Sequence, residues 1–312
     1  MSVIVFGYHN IGVIGINVLK NHNVSISTVF THRDNQNENI WFDSVSDLCN
    51  KFNIKLLYAD DYNNNDIFEI VKKLNPITIF SFYYRKIIPQ SILDIPKNGA
   101  VNLHGSLLPK YRGRSPVNWQ LLHGETKGGL TLHYMIQKPD AGDIIAQKKV
   151  SISKTDTPLS LFAKLEKSAQ LLLDENIDSI ITGKCDRTSQ DDSIATYYGG
   201  RKPEDGVINW QWSTEKIYNL IRAVTKPYPG AFTYFNNIKL IIWMASKCTI
   251  SLSDTFVAKG TVHIYEGDHF VKTGDGWLKL QKIEFKNQEY DLSTNKQNFI
   301  FDGSIFLSEI NK

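Results

Sequence analysis

The sequence predicts an α/β chain: a doubly wound, mostly parallel sheet followed by a small antiparallel β-barrel. Three observations carry this. Over residues 2–104, short apolar runs alternate with helix-period segments through short polar links, the pattern of repeated βαβ units. The run 77–84 is apolar or aromatic almost throughout, as befits a central strand covered on both faces. From Ala231 onward the pattern changes to short strands separated by glycine turns, which closes most simply as an antiparallel barrel.

Residues 2–8 form the first expected strand. With no basic stretch before it, this apolar start reads as a buried strand and not as a leader. Residues 9–12 are expected as a turn and 13–21 as a helix. Glycines 7, 12 and 15 lack GxGxxG spacing, so a tight strand-to-helix turn is their expected use. A strand at 24–31, a polar loop at 32–40 and a helix at 43–53, capped by Asp43 or Ser44, follow. The alternation continues as strand 54–58, helix 66–74, strand 77–84, short helix 90–95 and strand 99–104. A helix at 115–123 then precedes strands 130–136 and 144–152, which flank the loop 137–143. A long amphipathic helix spans 157–181, with Thr155 or Thr157 as its cap. Polar residues 184–193 and the turn-rich 199–206 separate it from a helix at 213–224, which Pro227-Tyr-Pro-Gly230 ends. The remaining strands are expected at 232–235, 239–244, 256–258, 260–265, 269–273 and 276–285. The domain division this implies is a catalytic unit 1–190, a linker 191–205 and a C-terminal unit 206–312.

Composition narrows the function classes. At 312 residues, 42% hydrophobic and 21% charged, the chain can build a sizeable core without metal or disulfide. Its three cysteines (Cys49, Cys185 and Cys248) are far apart and form no CxxC. That argues against a disulfide framework or structural zinc and for a reducing, cytoplasmic setting. Apolar runs fall far short of the roughly 18 residues of a membrane span. A net charge of +3, from 35 basic and 32 acidic residues, is too mild to argue for nucleic acid.

The chemistry concentrates in Asn102-Leu-His-Gly-Ser-Leu-Leu-Pro-Lys-Tyr-Arg-Gly113. Asn102 and His104 are two apart on a strand and so share a face. Pro109 then stops the ladder. Ligands of open α/β sheets bind beyond the carboxyl ends of the strands, where this stretch and Tyr83-Tyr84-Arg85 both lie. The loop Lys138-Pro-Asp140-Ala-Gly-Asp143 can return a carboxylate to His104, orient it and support its imidazolium. Two plainer readings stand beside this one: a hydrogen-bonded core histidine, and a turn aspartate bonded to its own backbone. Taken together, an amide donor for an oxyanion, an imidazole for proton movement and a carboxylate suit acyl transfer. Ser106 carries no mark of activation, so direct transfer is preferred to a covalent acyl-enzyme. HExxH is absent and no histidine pair has ligand spacing, so no metal is expected. The aromatics Trp210, Trp212, Tyr228, Phe232 and Tyr234 suit packing or base stacking.

The Asn102–Gly113 stretch, together with Asp140-Ala-Gly-Asp143, resembles the 10-formyltetrahydrofolate-dependent formyltransferases. The likeness extends through Phe6-Gly-Tyr-His9, Phe80–Arg85, Asn118-Trp119, Gly199–Pro203 and Ile221–Phe232. Within the family the chain is most similar to the sugar N-formyltransferase half of the enzymes that modify UDP-4-amino-4-deoxy-L-arabinose. With no second enzymatic half following, a stand-alone transferase is expected. The resemblance implies a Rossmann-like catalytic domain and an OB-like barrel. It also implies three catalytic roles: Asn102 steadies the oxyanion, His104 shuttles the proton and Asp140 raises the basicity of His104. The folate co-substrate, released as tetrahydrofolate, would meet Lys86, Ile87, Ile88, Arg114 and the loop Ile136, Gln137, Lys138, Pro139, Asp140. Arg201 and Arg222 are candidates for a substrate diphosphate.

The acceptor implied is a nucleotide-linked amino sugar: UDP-4-amino-4-deoxy-L-arabinose first, a dTDP-linked amino-dideoxyhexose second. Either would serve lipopolysaccharide or O-antigen synthesis, without nucleic acid or membrane partner and as a homo-oligomer such as a dimer. The alternative is methionyl-tRNA formyltransferase. Its loop after the second strand is basic, whereas here Arg33–Asn39 holds one cation and two acids. A scaffolding protein that lost the chemistry is the third reading, and the intact Asn102, His104 and Asp140 set argues against it.

Overall fold

A computed structural model describes residues 2–36, 38–248, 257–294 and 302–309. The chain divides into two compact units. One comprises residues 1–116, 127–151 and 162–199, the other residues 117–126, 152–161 and 200–312.

The first unit opens as the alternation predicts: β1 (Ser2–Gly7), α1 (His9–Asn21), β2 (Ser25–Thr31), α2 (Val45–Phe52), β3 (Leu56–Tyr58), α3 (Asn64–Leu74), β4 (Thr78–Phe82), α4 (Gln90–Leu93) and β5 (Ala100–His104). There follow β6 (Arg112–Gly113), β7 (Lys127–Tyr134), β8 (Ile144–Ser151), the greater part of α6 (Pro158–Thr182), from Phe162 onward, and β9 (Tyr197–Tyr198), whereas α5 (Pro116–Leu122) belongs from Val117 to the second unit. Seven strands form one sheet in the order β3-β2-β1-β4-β5-β7-β8. The first five are parallel; β7 and β8 are antiparallel to their neighbours. The sheet is therefore mixed and mostly parallel, with the order reversing between β1 and β4. Ile4, Phe6, Phe30 and Ile79 form the centre of a core cluster under α3 and α4, with Phe6 stacked on Phe30 at 4.7 Å.

Local chemistry explains the boundaries. Asn63 caps α3 and Asp66 returns a bond to the Asn63 N–H, so the Asn63-Asn64-Asn65 run starts a helix two residues before the hydrophobic pattern shows it. Asn53 and Asn75 end α2 and α3 in the left-handed region, which asparagine tolerates. The turn expected at 9–12 is shorter than predicted: α1 begins at His9, which itself holds φ 64°. Gly15 serves packing and not turning. A Cβ there would lie 2.3 Å from the Phe82 ring. The two-residue strands β6 and β9, which pair in parallel, carry too little pattern to be seen in sequence.

The second unit contains α7 (Thr214–Val224), β10 (Ala231–Phe235), β11 (Ile238–Lys247), β12 (Val262–Tyr265), β13 (Asp268–Lys272), β14 (Trp277–Phe285) and β15 (Gln288–Asp291). Its antiparallel sheet runs β10-β11-β14-β13-β12, with β15 also on β14. Bridges Tyr234↔Leu307 and Thr261↔Ile305 bring one short segment against β10 and against the approach to β12, in the sense of barrel closure. The strand expected at 256–258 begins outside the described residues.

Candidate active site

The site follows from the register of β5 and β7. Asn102 stands opposite His133, and His104 opposite Thr131. Directly opposed residues share a sheet face, so two strands present Asn102, His104, Thr131 and His133 together. The connection after β7 starts beside the amino end of β5, where the Met135 N–H donates to the Ala100 carbonyl. It nonetheless returns Asp140 to the carboxyl end of β5. His104 Nδ1 lies 3.5 Å from Asp140 Oδ1, and His133 Nε2 lies 3.6 Å from the same oxygen. The side chains are 7%, 14% and 1% exposed, in the order His104, Asp140 and His133.

Hydrogen bonds assign the protons. His104 Nε2 lies 2.7 Å from the Tyr111 carbonyl, which can only accept, so Nε2 carries hydrogen. The basic lone pair of neutral His104 is thus on Nδ1, the nitrogen that faces Asp140. Burial drives the Asp140 carboxyl upward. The charge His104 can carry and the Gly113 N–H drive it down and win, so the carboxyl is held well below the usual carboxylate range.

Several groups hold the loop in place. The Gly113 N–H donates to Asp140 Oδ2 at 2.8 Å. Gln190 Nε2 donates to the carbonyls of Asp140 and Gly142. Its Oε1 accepts from buried Arg112, whose Nη1 also pairs with Asp192 at 2.7 Å. Thr131 Oγ1 donates to the Ser106 carbonyl and accepts from the Leu108 N–H, which fixes the loop after β5. The Ser106 hydroxyl is fully buried and donates to the Lys110 carbonyl at 2.7 Å, a tie within the loop.

Asn102, His104 and Asp140 are thus brought together, and His133, Gly113 and Gln190 join them without having been anticipated. The signal for His133 was available: the Thr131-x-His133 spacing on an expected strand matches Asn102-x-His104. Gly113 acts through its backbone N–H, and Gln190 through a side-chain amide whose partners on the loop are the backbone carbonyls of Asp140 and Gly142, so neither leaves a pattern in sequence.

The other candidates lie nearby in the fold order. Lys86, Ile87 and Ile88 leave the carboxyl end of β4, which pairs with β5. Lys86 Nζ pairs with Asp60 at 2.7 Å, Ile87 is 76% exposed and Ile88 is buried. Ile136, Gln137 and Lys138 are exposed, Pro139 is half-buried, and Lys138 pairs with Asp192. Arg114 is exposed, and its N–H donates to the Tyr198 carbonyl.

In the second unit, Arg201 is half-buried. It lies over the Trp119 ring at 5.0 Å and donates to the Asp205 carbonyl. Arg222 departs from the diphosphate role expected of it. It is 7% exposed, and its guanidinium donates to Asn219 Oδ1 and to the carbonyls of Ser153, Asp156 and Leu121. It is an internal tie.

The loop after β2 is neutralised internally. Tyr8 donates to Asp34 at 2.6 Å, Glu38 accepts both Arg85 Nη groups, and Arg33 pairs with Asp61. Beneath it His9 is boxed by Trp41, Phe42 and Phe162, at ring distances of 4.6, 4.3 and 5.3 Å. Burial, helped by the Arg85 charge, pushes His9 down to about 4. Among the described residues no group of three or more His, Cys, Asp or Glu is placed to hold a metal ion, and no helix is long and apolar enough to cross a membrane.

Residues 1–177 match the family model described as formyl transferase, and residues 201–295 match that of the formyl transferase C-terminal domain. Among solved structures, one similar chain is an N-formyltransferase from Helicobacter canadensis, crystallised with folinic acid and dTDP-3-aminofucose. It is 22% identical over 93% of this chain and 100% of its own, with a TM-score of 0.68. WlaRD, a sugar 3N-formyl transferase crystallised with dTDP and 5-N-formyl-THF, is 22% identical over 92% of this chain and 98% of its own, with a TM-score of 0.69. A methionyl-tRNA formyltransferase from Clostridium thermocellum is 22% identical over 83% of this chain and 100% of its own, with a TM-score of 0.56. At these identities the likeness to each solved structure is one of fold.

Proposed function

The chain belongs to the formyl transferase family, and we propose that it moves the formyl group of 10-formyltetrahydrofolate directly to the amine of a nucleotide-linked amino sugar. The observation that carries this reading is the cluster of buried His104 with half-buried Asn102 and Asp140, the His104 lone pair lying on the nitrogen that faces the carboxylate.

The cluster supplies what direct acyl transfer requires. As the amine nitrogen bonds to the formyl carbon, a hydrogen on the Asn102 amide steadies the oxygen that gains charge, worth roughly 3 kcal/mol of barrier. His104 takes the amine proton at Nδ1, and Asp140 stabilises the imidazolium so formed. His104 then returns the proton to the departing folate nitrogen as the formyl C–N bond breaks. No covalent enzyme intermediate is needed, consistent with the Ser106 hydroxyl being spent on the loop backbone.

For the donor, Ile87 and Ile136 are large apolar side chains, 76% and 45% exposed, on the two segments assigned to the folate. Apolar surface of that kind suits a flat heterocycle, with backbone groups from Lys86 to Ile88 and from Ile136 to Asp140, and Arg114, available to it. Similar folds crystallised with folinic acid or 5-N-formyl-THF support the same donor class.

For the acceptor, internal pairing of Arg33, Asp34, Glu38 and Arg85 leaves the loop after β2 without the basic surface that transfer RNA needs. The dTDP-3-aminofucose and dTDP held by similar folds favour a sugar nucleotide, and the sequence likeness favours UDP-4-amino-4-deoxy-L-arabinose over dTDP-amino-dideoxyhexoses. Arg201, beside Trp119, is the candidate diphosphate contact. The product class suits lipopolysaccharide or O-antigen assembly.

The test is tetrahydrofolate release from 10-formyltetrahydrofolate with each sugar nucleotide and with charged initiator tRNA. Turnover with a sugar nucleotide is expected. Turnover with the tRNA alone would replace the acceptor, and none with any amine would remove the activity.

A further inference from the structure

His133 is buried beside the cluster, and its hydrogen bonds leave it little freedom. Its Nδ1 lies 2.8 Å from the Tyr134 carbonyl, an acceptor only, so Nδ1 carries hydrogen. Its Nε2 lies 3.1 Å from Asn102 Nδ2, a donor only, so Nε2 offers a lone pair. The two bonds together select one neutral tautomer. The pairing of β7 with β8 shifts register between Leu132 and His133, and irregularities of this kind re-aim side chains next to active sites.

We infer that His133 is a positioning residue: held as the Nδ1–H tautomer, it fixes the Asn102 amide for oxyanion binding and leaves the Asp140 carboxylate to His104. This rests on the formyl-transfer reading above. An amide can turn over and exchange its oxygen for its nitrogen at little cost unless its partners object. Here the bare Nε2 accepts one N–H of Asn102, so the oxygen cannot take that place without setting two lone pairs face to face. The second N–H is thereby held in a fixed direction. The same bare Nε2, 3.6 Å from Asp140 Oδ1, has no proton to give the carboxylate. Asp140 keeps the Gly113 N–H on one oxygen and His104 Nδ1 on the other side. The opposite tautomer would place N–H against the Asn102 amide nitrogen and draw Asp140 away from His104.

Two substitutions separate positioning from mere packing. His133→Phe keeps a ring but offers no acceptor; kcat should fall roughly tenfold or more, part of the ~100-fold lost when a whole oxyanion donor is removed, while KM for both substrates stays within about twofold. His133→Gln, whose amide oxygen can accept from Asn102, should recover most of the rate. In an Asn102→Ala background, His133→Phe should cost nothing further, because the group it positions is gone. Additive losses, or no rescue by His133→Gln, would overturn the inference. Nitrogen-15 NMR of the imidazole rings in the intact wild-type protein reads the tautomer without reference to turnover or to whether a variant folds. Hydrogen on Nδ1 with bare Nε2 is expected at neutral pH, and the reverse overturns the inference. A wild-type protein inert toward every amine would count against the functional reading alone, with the NMR result still deciding the tautomer.

Discussion

His104 and Asp140 face each other at 3.5 Å, Nδ1 to Oδ1, across a connection that runs the length of a strand before returning. The other His104 nitrogen is committed to the Tyr111 carbonyl at 2.7 Å. The imidazole therefore cannot rotate without losing that bond, which keeps its one basic nitrogen on the Asp140 side of the ring.

Replacing Asp140 with asparagine keeps the shape and removes the charge. Asp140→Asn should lower kcat by about 100-fold or more, with little change in the far-ultraviolet circular dichroism. A near-wild-type rate would remove Asp140 from the mechanism. The sign of the linked stability follows from the depressed folded pKa. The stabilisation is present above the ordinary value near 4 and is lost as pH falls through the folded value. The difference in urea midpoint between wild type and Asp140→Asn should therefore shrink as pH is taken below about 4.

Most of the fold and the meeting of Asn102, His104 and Asp140 were legible in the sequence because they rest on side-chain patterns. β4 showed itself as an apolar run, and Asn102 and His104 as a period-two pair at a strand end. Asp140 was visible because Pro139 and the following Ala-Gly mark a loop between two strands. What stayed hidden rests on backbone atoms or on register. The Gly113 N–H that grips Asp140 has no side chain to announce it, and β6, which places it, is two residues long. Arg222, a candidate for the diphosphate, sits in the last turn of α7, and its partners are Asn219 Oδ1 and three backbone carbonyls that no sequence pattern reports.

His9 offers a second titration window. It is neutral in the fold, pushed down to about 4 by burial and the Arg85 charge, while the unfolded chain takes its proton near 6.5. Stability is full above about 6.5 and is lost as pH falls toward 4, by roughly 3 kcal/mol if no other group intervenes. His9→Phe, which keeps an aromatic ring among Trp41, Phe42 and Phe162, should flatten that slope. Urea midpoints measured from pH 7 to 4.5 check this; parallel slopes for the two proteins would contradict it.

Gly113 should tolerate no side chain. It holds φ 96°, and a Cβ would lie 2.2 Å from the Tyr198 carbonyl oxygen. Gly113→Ala must shift backbone, a cost of about 1–3 kcal/mol, and the same shift draws its N–H from Asp140. The melting temperature should drop, and the protein that remains folded should show reduced kcat. Full activity per folded molecule would mean that the Gly113 bond does not matter to Asp140.

Arg222 separates a structural tie from a substrate contact. It joins α7 to the segments at Leu121 and at Ser153–Asp156, all within one unit. Arg222→Leu removes the charge and the donor that Asn219 Oδ1 and the Asp156, Ser153 and Leu121 carbonyls receive from it; the last two keep the N–H groups of Asp156 and Gly124, and each buried acceptor that does lose its partner costs about 1–3 kcal/mol. Some of that cost is offset by the apolar side chain and by water entering at the Ser153 end. The expected result is a loss of about 3–5 kcal/mol in urea unfolding, with KM for the sugar nucleotide unchanged in the folded fraction. Arg201→Ala is the contrasting variant. Its side chain is half-buried against Trp119 and donates to one carbonyl, so its removal should cost little stability and raise KM. A rise in KM at Arg222→Leu without loss of stability would restore Arg222 as the diphosphate contact.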